Sequence, residues 1–173
     1  SLNIKLQGSG DIDFNQGADA KEVNICLLGS GDVTSEGMLC SQYKMKVDLQ
    51  GSGDIDMKKI KAYNAEISLM GSGDFEADDV DLATLNASVQ GAGNMDLKGR
   101  VESVNYSVLG SGVINAAQLK AKRVKVNVNG SGTLKCHADE LLEGSVENCG
   151  NLEISGKSRV EVSSSRQGTV RRL

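Results

Sequence analysis

Apolar and polar residues alternate along most of the chain, and the alternation repeats about every 20 residues. Counted from the first glycine of each recurring Gly-Ser-Gly segment, positions −6, −4 and −2 are apolar, while positions −5 and −3 are mostly polar. Alternation with a period of two predicts a β-strand with one buried face. The −2 column contains Leu6, Leu27, Leu49, Leu69, Val89, Val108, Val128 and Val146.

Two further apolar pairs recur in each repeat. One pair follows the glycines at positions +4 and +6, as in Ile55 and Met57. The other precedes the next strand at −11 and −9, as in Ile60 and Ala62. Each repeat is therefore predicted to contain three short extended pieces separated by turns.

The segment Gly51-Ser52-Gly53-Asp54 marks the start of each repeat. Its spacing varies only from 18 to 22 residues, and a fixed period near 20 is typical of repeat architectures. The clean copies begin at Gly8, Gly29, Gly51, Gly71, Gly91, Gly110 and Gly130, and two degenerate copies begin at Asn148 and Arg166.

A single repeat cannot bury its apolar columns, but stacked coils can. The pattern predicts an all-β fold, a parallel β-helix (solenoid) with about 20 residues per coil, as one domain over residues 1–173. The right-handed rule for parallel crossovers predicts a right-handed coil. An antiparallel sandwich would explain the alternation but not the recurrence of the same columns. The glycines are clustered, which excludes a collagen-like chain.

The glycines are interpreted as corner residues. Glycine adopts positive φ without penalty, and its missing Cβ lets stacked backbones approach closely. A phosphate-binding loop requires a following helix. Here a strand follows, and the aspartate at position +3 would repel phosphate, so the corner interpretation is favoured.

Composition narrows the function classes. The net charge of −4 and the pI of about 5.1 argue against nucleic-acid binding. Residues 1–99 carry net −8 and residues 100–173 net +4, which indicates either a surface partner or, more commonly, a solvated face. No stretch approaches the ~18 consecutive apolar residues of a membrane span. Aromatic residues make up 3% of the chain, so the core must be aliphatic.

Carboxylates follow the glycines in the first five coils, where like charges stacked on one strand face are unfavourable. One interpretation is divalent cation binding, with Ca²⁺ at Asp11, Asp32, Asp54 and Asp74. The favoured interpretation is that each aspartate caps a corner by accepting backbone N–H groups. The carboxylates that form the candidate ligand face are Asp11, Asp32, Asp54, Asp56, Asp74, Glu76 and Asp96.

Other candidate chemistry is sparse. Tyr43 and Tyr63 both fall at position −8 and are predicted to stack outward on adjacent coils, either as a sugar-binding pair or as surface packing. His137 is the only histidine, and no catalytic residue is predicted. The four cysteines match no CxxC metal motif, which favours small core or surface residues over ligands or disulfides.

The repeated Gly-Ser-Gly-Asp segments, preceded by strands such as Val124-Lys125-Val126-Asn127-Val128, resemble the head GIN domain family of auto-transporter adhesins. The resemblance covers essentially the whole chain. It implies a right-handed β-helix exported to the bacterial cell envelope, periplasmic or extracellular, and supplies no catalytic or binding residues. The chain opens inside a repeat, and family members often begin with a further β-rich segment, so a trimmed upstream segment is expected.

The predicted function is a non-enzymatic envelope or surface module with an adhesin-like or structural role. The first alternative is a carbohydrate-binding or carbohydrate-processing solenoid that uses the acidic face with the two tyrosines. The second alternative is a Ca²⁺-stiffened surface spacer. The predicted partners are a protein or glycan on another surface, or a second copy joined end to end or at a strand edge. No cofactor other than Ca²⁺ is predicted.

Overall fold

The computed structural model describes residues 1–165 and 167–173, and the described chain is all β-sheet. The prediction of a degenerate corner at Arg166 lies outside the described residues. The strands within them are β1 (Leu2–Gly8), β2 (Ile12–Phe14), β3 (Ala18–Gly29), β4 (Val33–Gly51), β5 (Ile55–Gly71), β6 (Phe75–Gly91), β7 (Asn94–Gly110), β8 (Val113–Gly130), β9 (Thr133–Asn148), β10 (Asn151–Ser155), β11 (Arg159–Ser164) and β12 (Thr169–Arg172).

All strand pairs between these elements are parallel, and each coil pairs with the next. The sheet order is β1-β3-β4-β5-β6-β7-β8-β9-β10-β12, with β2 paired to β4 and β11 to β9. The partners follow the predicted columns, as in Leu49↔Leu69↔Val89. The chain is therefore a parallel β-solenoid of about eight turns with about 20 residues per turn, which confirms the predicted fold class.

The coil formed by β5 shows that the cross-section has three faces. Its buried side chains form three groups, which are Ile55/Met57 on the first face, Ile60/Ala62 on the second face and Ala65/Ile67/Leu69 on the third face. Two successive outward residues separate neighbouring groups, Lys58-Lys59 at the first corner and Tyr63-Asn64 at the second corner. The glycine segment forms the glycine corner, which closes the coil.

The structure differs from the predicted chain path in one respect. The three extended pieces are not separate strands, because β5 runs without interruption from Ile55 to Gly71. From β4 to β9 only the glycine corner breaks the strand, since the backbone keeps pairing with the neighbouring coils as it bends, whereas near the two ends of the solenoid the first corner also separates β2 from β3 and β10 from β11. Residues at the first and second corners lie outward, so they give a polar gap in the sequence that looks like a turn.

Differences in coil length are absorbed at the first and second corners. The 22-residue coil between Gly29 and Gly51 shifts its register against β5 between Ser35 and Met38 and again between Ser41 and Lys44. The faces on either side of each shift return to the common register. The apolar columns therefore stay stacked although the repeat length varies.

The glycine corners stack through their backbones. Gly51 has a φ of +138°, in the region where an L-side chain is strained. The backbone N–H groups of Ser52 and Gly53 both donate to the carbonyl of Gly29 in the preceding coil, at 3.0 and 3.2 Å. The corner contact is thus made by the backbone, and Ala92 replaces the serine without loss of its bond to Gly71, at 2.9 Å.

One continuous core cluster fills the solenoid from Ile4 to Ile154. Tyr106 is buried at its −4 position, as its column predicts, and its hydroxyl has no hydrogen-bond partner among the described residues. Cys136 is buried, and all four cysteines are free. The described part of the chain contains no helix long and apolar enough to cross a membrane.

Candidate functional site

The aspartates at position +3 form a hydrogen-bonded ladder that connects the coils. The carboxylate of Asp11 accepts the backbone N–H of Asp32 at 3.0 Å, and Asp32 accepts that of Asp54 at 2.9 Å. Asp54 accepts the N–H of Asp74 at 2.9 Å, and Asp74 accepts both the backbone and the side-chain N–H of Asn94. We call these four aspartates, together with Asn94 at the end of the row, the aspartate ladder.

The ladder refines the capping interpretation from the sequence. The aspartates do accept backbone N–H groups, but those groups belong to the next coil and not to the same turn. One carboxylate oxygen of each aspartate is thereby committed to the backbone. This charge-assisted bonding offsets part of the repulsion between stacked carboxylates.

Two lysines that the sequence reasoning had not singled out pair with two of the carboxylates at position +5 and with Asp78. Lys58 lies 3.7 Å from Asp56 and 3.3 Å from Asp78, and Lys98 lies 3.2 Å from Glu76 and 2.8 Å from Asp78. Hydrogen bonds from Lys98 and Lys58 lower the pKa of Asp78, and the hydrogen bonds of Lys98 to Asp78 and Glu76 raise the pKa of Lys98. The first face therefore carries an ion-pair network at the end of its carboxylate rows.

Two other members of the +5 column bond to uncharged neighbours. Asp13 accepts the hydroxyl of Thr34, and Asp96 accepts the side-chain amide of Asn115 at 3.1 Å. The residues described by the structure contain no cluster of three or more histidine, cysteine or acidic side chains placed to hold a metal ion. Calcium binding by the ladder aspartates stays a prediction.

The two candidate tyrosines lie on a different part of the coil from the acidic face. Tyr63 is at the second corner, and Tyr43 lies in the register shift at the same corner of the preceding coil. Their exposed fractions are 65% and 60%. The structure therefore separates the tyrosines from the carboxylates of the first face, with which the carbohydrate hypothesis had grouped them.

A cleft of about 580 Å³ opens beside Tyr63 on the second face. Tyr63, Ala83 and Glu102 occupy the same corner position in three successive coils, according to the pairing of their neighbours. The small side chain of Ala83 leaves a gap between the tyrosine and the glutamate. The complete lining consists of Asp19, Cys40, Ser41, Gln42, Lys61, Ala62, Tyr63, Asp81, Leu82, Ala83 and Glu102. We call this the Tyr63 cleft.

Ion pairs hold two of the acidic side chains of the Tyr63 cleft. Asp81 accepts two hydrogen bonds from the guanidinium of Arg100, at 3.0 and 2.8 Å, and this contact lowers the pKa of Asp81. Glu102 accepts a hydrogen bond from the ammonium of Lys122 at 3.3 Å. A bidentate pair fixes the carboxylate in one orientation. Sequence reasoning missed these residues, although reading the −8 column along successive coils would have revealed the step from tyrosine to alanine.

The structure also brings two partners to His137. Its Nε2 lies 3.0 Å from Asp139 and its Nδ1 lies 3.1 Å from the hydroxyl of Ser155 in the next coil. The same hydroxyl lies 3.3 Å from the carbonyl of Cys136, to which it can donate. The hydroxyl of Ser155 thus connects the side chain of His137 and the backbone of Cys136 to the next coil.

Comparison with known families agrees with this architecture. The model of the family described as "Putative auto-transporter adhesin, head GIN domain" matches residues 1–76 and, in an overlapping match, 41–158. Together the two matches cover residues 1–158, and the chain belongs to this family. No curated protein matches the sequence.

Solved structures share the fold at low sequence identity. A protein from Parabacteroides distasonis described as a "putative lipid binding protein" has a TM-score of 0.74 at 23% identity, over 99% of this chain and 61% of that one. A "putative adhesin" from the same species has 0.70 at 18%, over 99% and 64%. A "putative adhesin" from Parabacteroides merdae has 0.72 at 17%, over 100% and 92%. This chain therefore spans less than two thirds of the first two relatives.

Proposed function

We propose that the chain is a non-enzymatic β-solenoid module of the cell envelope, periplasmic or extracellular, that makes adhesive contacts. Membership of a family described as adhesins supports this assignment, and so does the fold shared with two structures of that description. The proposal concerns this module, since two of the relatives are considerably longer.

The single observation that carries the non-enzymatic part is the bonding of the first face. A carboxylate-dependent hydrolase needs an acid and a base that flank a substrate in a cleft. Here the repeated carboxylates form a ladder to backbone N–H groups and ion pairs to Lys58 and Lys98. Residues occupied in this way connect coils and leave the face with a structural role.

The adhesive part of the proposal is assigned to the Tyr63 cleft. Binding sites combine an exposed aromatic or apolar surface with a few positioned polar groups, and the cleft has both. Its charged side chains make it a poor site for a fatty acyl chain, because a lipid tail would leave them desolvated. We therefore do not extend the lipid-binding description of one neighbour to this chain.

Bead adhesion tests the proposal. Beads coated with the chain are expected to bind immobilised mucin or intact bacterial cells in greater number than beads coated with albumin, counted after a fixed wash. Retention of both kinds of bead at the same level on both surfaces would refute the adhesive function. A chain unfolded in urea before coating provides the control for nonspecific stickiness.

A further inference from the structure

The Tyr63 cleft also indicates the chemical class of its ligand, and this inference rests on the proposed adhesive function. We propose that the cleft binds an uncharged saccharide, with one sugar ring seated over Ala83 against the ring of Tyr63. The argument uses the shape of the cleft, the hydrogen-bonding groups around it and the balance of its charges.

The shape suits a ring-sized ligand. Neighbouring parallel strands lie about 4.8 Å apart, so the corner positions of Tyr63 and Glu102 are separated by two such steps, or about 10 Å. Ala83 stands between them, so the gap is bounded by an aromatic wall on one side and a carboxylate on the other. An exposed aromatic face packs against the C–H surface of a sugar ring, which is apolar on its faces and polar at its edge.

The polar groups suit hydroxyls. Sugar hydroxyl groups both donate and accept, and the cleft offers the carboxylates of Asp19, Asp81 and Glu102 with the ammonium of Lys61. Asp81 is held by the guanidinium of Arg100, which keeps its orientation fixed without filling both lone pairs of each oxygen. A preorganised acceptor loses less entropy when a ligand binds.

The charges favour a neutral ligand. Asp81 and Glu102 are each paired to a cation at the cleft margin, Arg100 and Lys122, and the lining contains one further carboxylate, Asp19, and one further cation, Lys61. The three carboxylates are thus matched by three cations. Because the charges sum to zero, a charged ligand would gain no net attraction, whereas hydroxyl groups can bond to both signs.

The test is a glycan array that contains neutral oligosaccharides of hexoses and N-acetylhexosamines together with their sialylated and sulfated forms. The affinity for the best neutral oligosaccharide is then measured by isothermal titration at 50 and 500 mM NaCl. Tyr63→Ala is expected to weaken binding at least tenfold. Ala83→Arg, which fills the gap and leaves the tyrosine in place, is expected to do the same.

Tyr43→Ala is the matched control, because Tyr43 is almost equally exposed at the same corner but does not line the cleft. It is expected to change the affinity less than twofold, and salt is expected to have little effect on a neutral ligand. Unchanged urea midpoints for the three variants would show that they fold.

The possible outcomes separate the two proposals. Neutral glycan binding that Tyr63→Ala and Ala83→Arg abolish supports the saccharide site. Beads that adhere while no neutral oligosaccharide binds at millimolar concentration overturn the saccharide inference and leave the adhesive function standing. Preference for sialylated or sulfated glycans, or equal loss with Tyr43→Ala, also overturns it. Beads that do not adhere refute the proposed function itself.

Discussion

Replacing Gly53 by alanine tests whether backbone contact at the glycine corners holds the coils together. A Cβ at this position would lie 2.0 Å from the carbonyl oxygen of Gly31 in the preceding coil, whereas ordinary contact begins at 3.4 Å. The corner would have to move by more than 1 Å. That movement would stretch the bonds from Ser52 and Gly53 to Gly29, which measure 3.0 and 3.2 Å.

The expected cost follows from these contacts. Two weakened hydrogen bonds contribute about 0.5–1.5 kcal/mol each. Insertion of an extra methyl group into a closely packed site costs about 1–3 kcal/mol. Because the corner can relax partly towards solvent, we expect Gly53→Ala to lower the free energy of unfolding by about 2–4 kcal/mol.

Urea unfolding followed by far-ultraviolet circular dichroism measures the change. With a slope of about 2–3 kcal/mol per molar urea, the midpoint should fall by roughly 1 M. Gly10→Ala is the matched control, because Gly10 holds the same corner position in the first coil and its Cβ would meet nothing within 4 Å. Its effect should stay within about 0.5 kcal/mol. Equal midpoints for the two variants would refute the stacking argument.

Four further predictions concern the polar groups of the solenoid. Asp74→Ala should destabilise the chain by about 1 kcal/mol in urea unfolding, because Asn94 loses its acceptor, whereas Asp74→Asn should retain most of the stability. Tyr106→Phe should raise the urea midpoint, by about 1–2 kcal/mol in stability, since the change removes a buried hydroxyl that has no partner; a lower midpoint would contradict this. The pKa of Asp78 is lowered in the folded state, so its stabilising contribution is complete above the unfolded carboxyl pKa and is lost as the pH falls through the folded value. A urea midpoint measured from pH 6 to pH 2 should therefore fall less steeply in Lys98→Met, and identical slopes would show that this pair does not contribute. Millimolar Ca²⁺ should leave the melting temperature unchanged because the aspartate ladder is bonded to the backbone, and a clear rise would instead support the Ca²⁺-stiffened spacer.

The fold was predictable because its determinants are local and repeated. Alternation at −6, −4 and −2 fixes which side chains face inward, and recurrence near every 20 residues fixes which of them stack. Tyr106 lies at position −4, so its column predicts that it is buried, and the structure confirms this. The corner glycines indicated a tight turn because a missing Cβ lets stacked backbones approach closely, and the structure shows this close approach.

The candidate site was less predictable because it depends on differences between coils. Lys98 falls at a register shift, which hides which residues become its neighbours. Lys58 lies in register with Asp78, but both residues follow the apolar pair at +4 and +6, outside the columns that define the repeat. The Tyr63 cleft depends on one small residue, Ala83, following a tyrosine in the same column. A motif search detects residues that recur in every repeat, whereas this cleft forms at a position where the repeated residue changes.

The register shifts have a consequence for engineering. Since the 22-residue coil accommodates its extra residues near Glu36-Gly37 and Gln42-Tyr43 without disturbing the columns, these are the places where the chain accepts insertions. Foreign peptides grafted at equivalent positions of successive coils would be displayed in a row at intervals of about 4.8 Å. The distance between the displayed peptides would then be set by backbone pairing between the coils and would not depend on the sequence of the peptides.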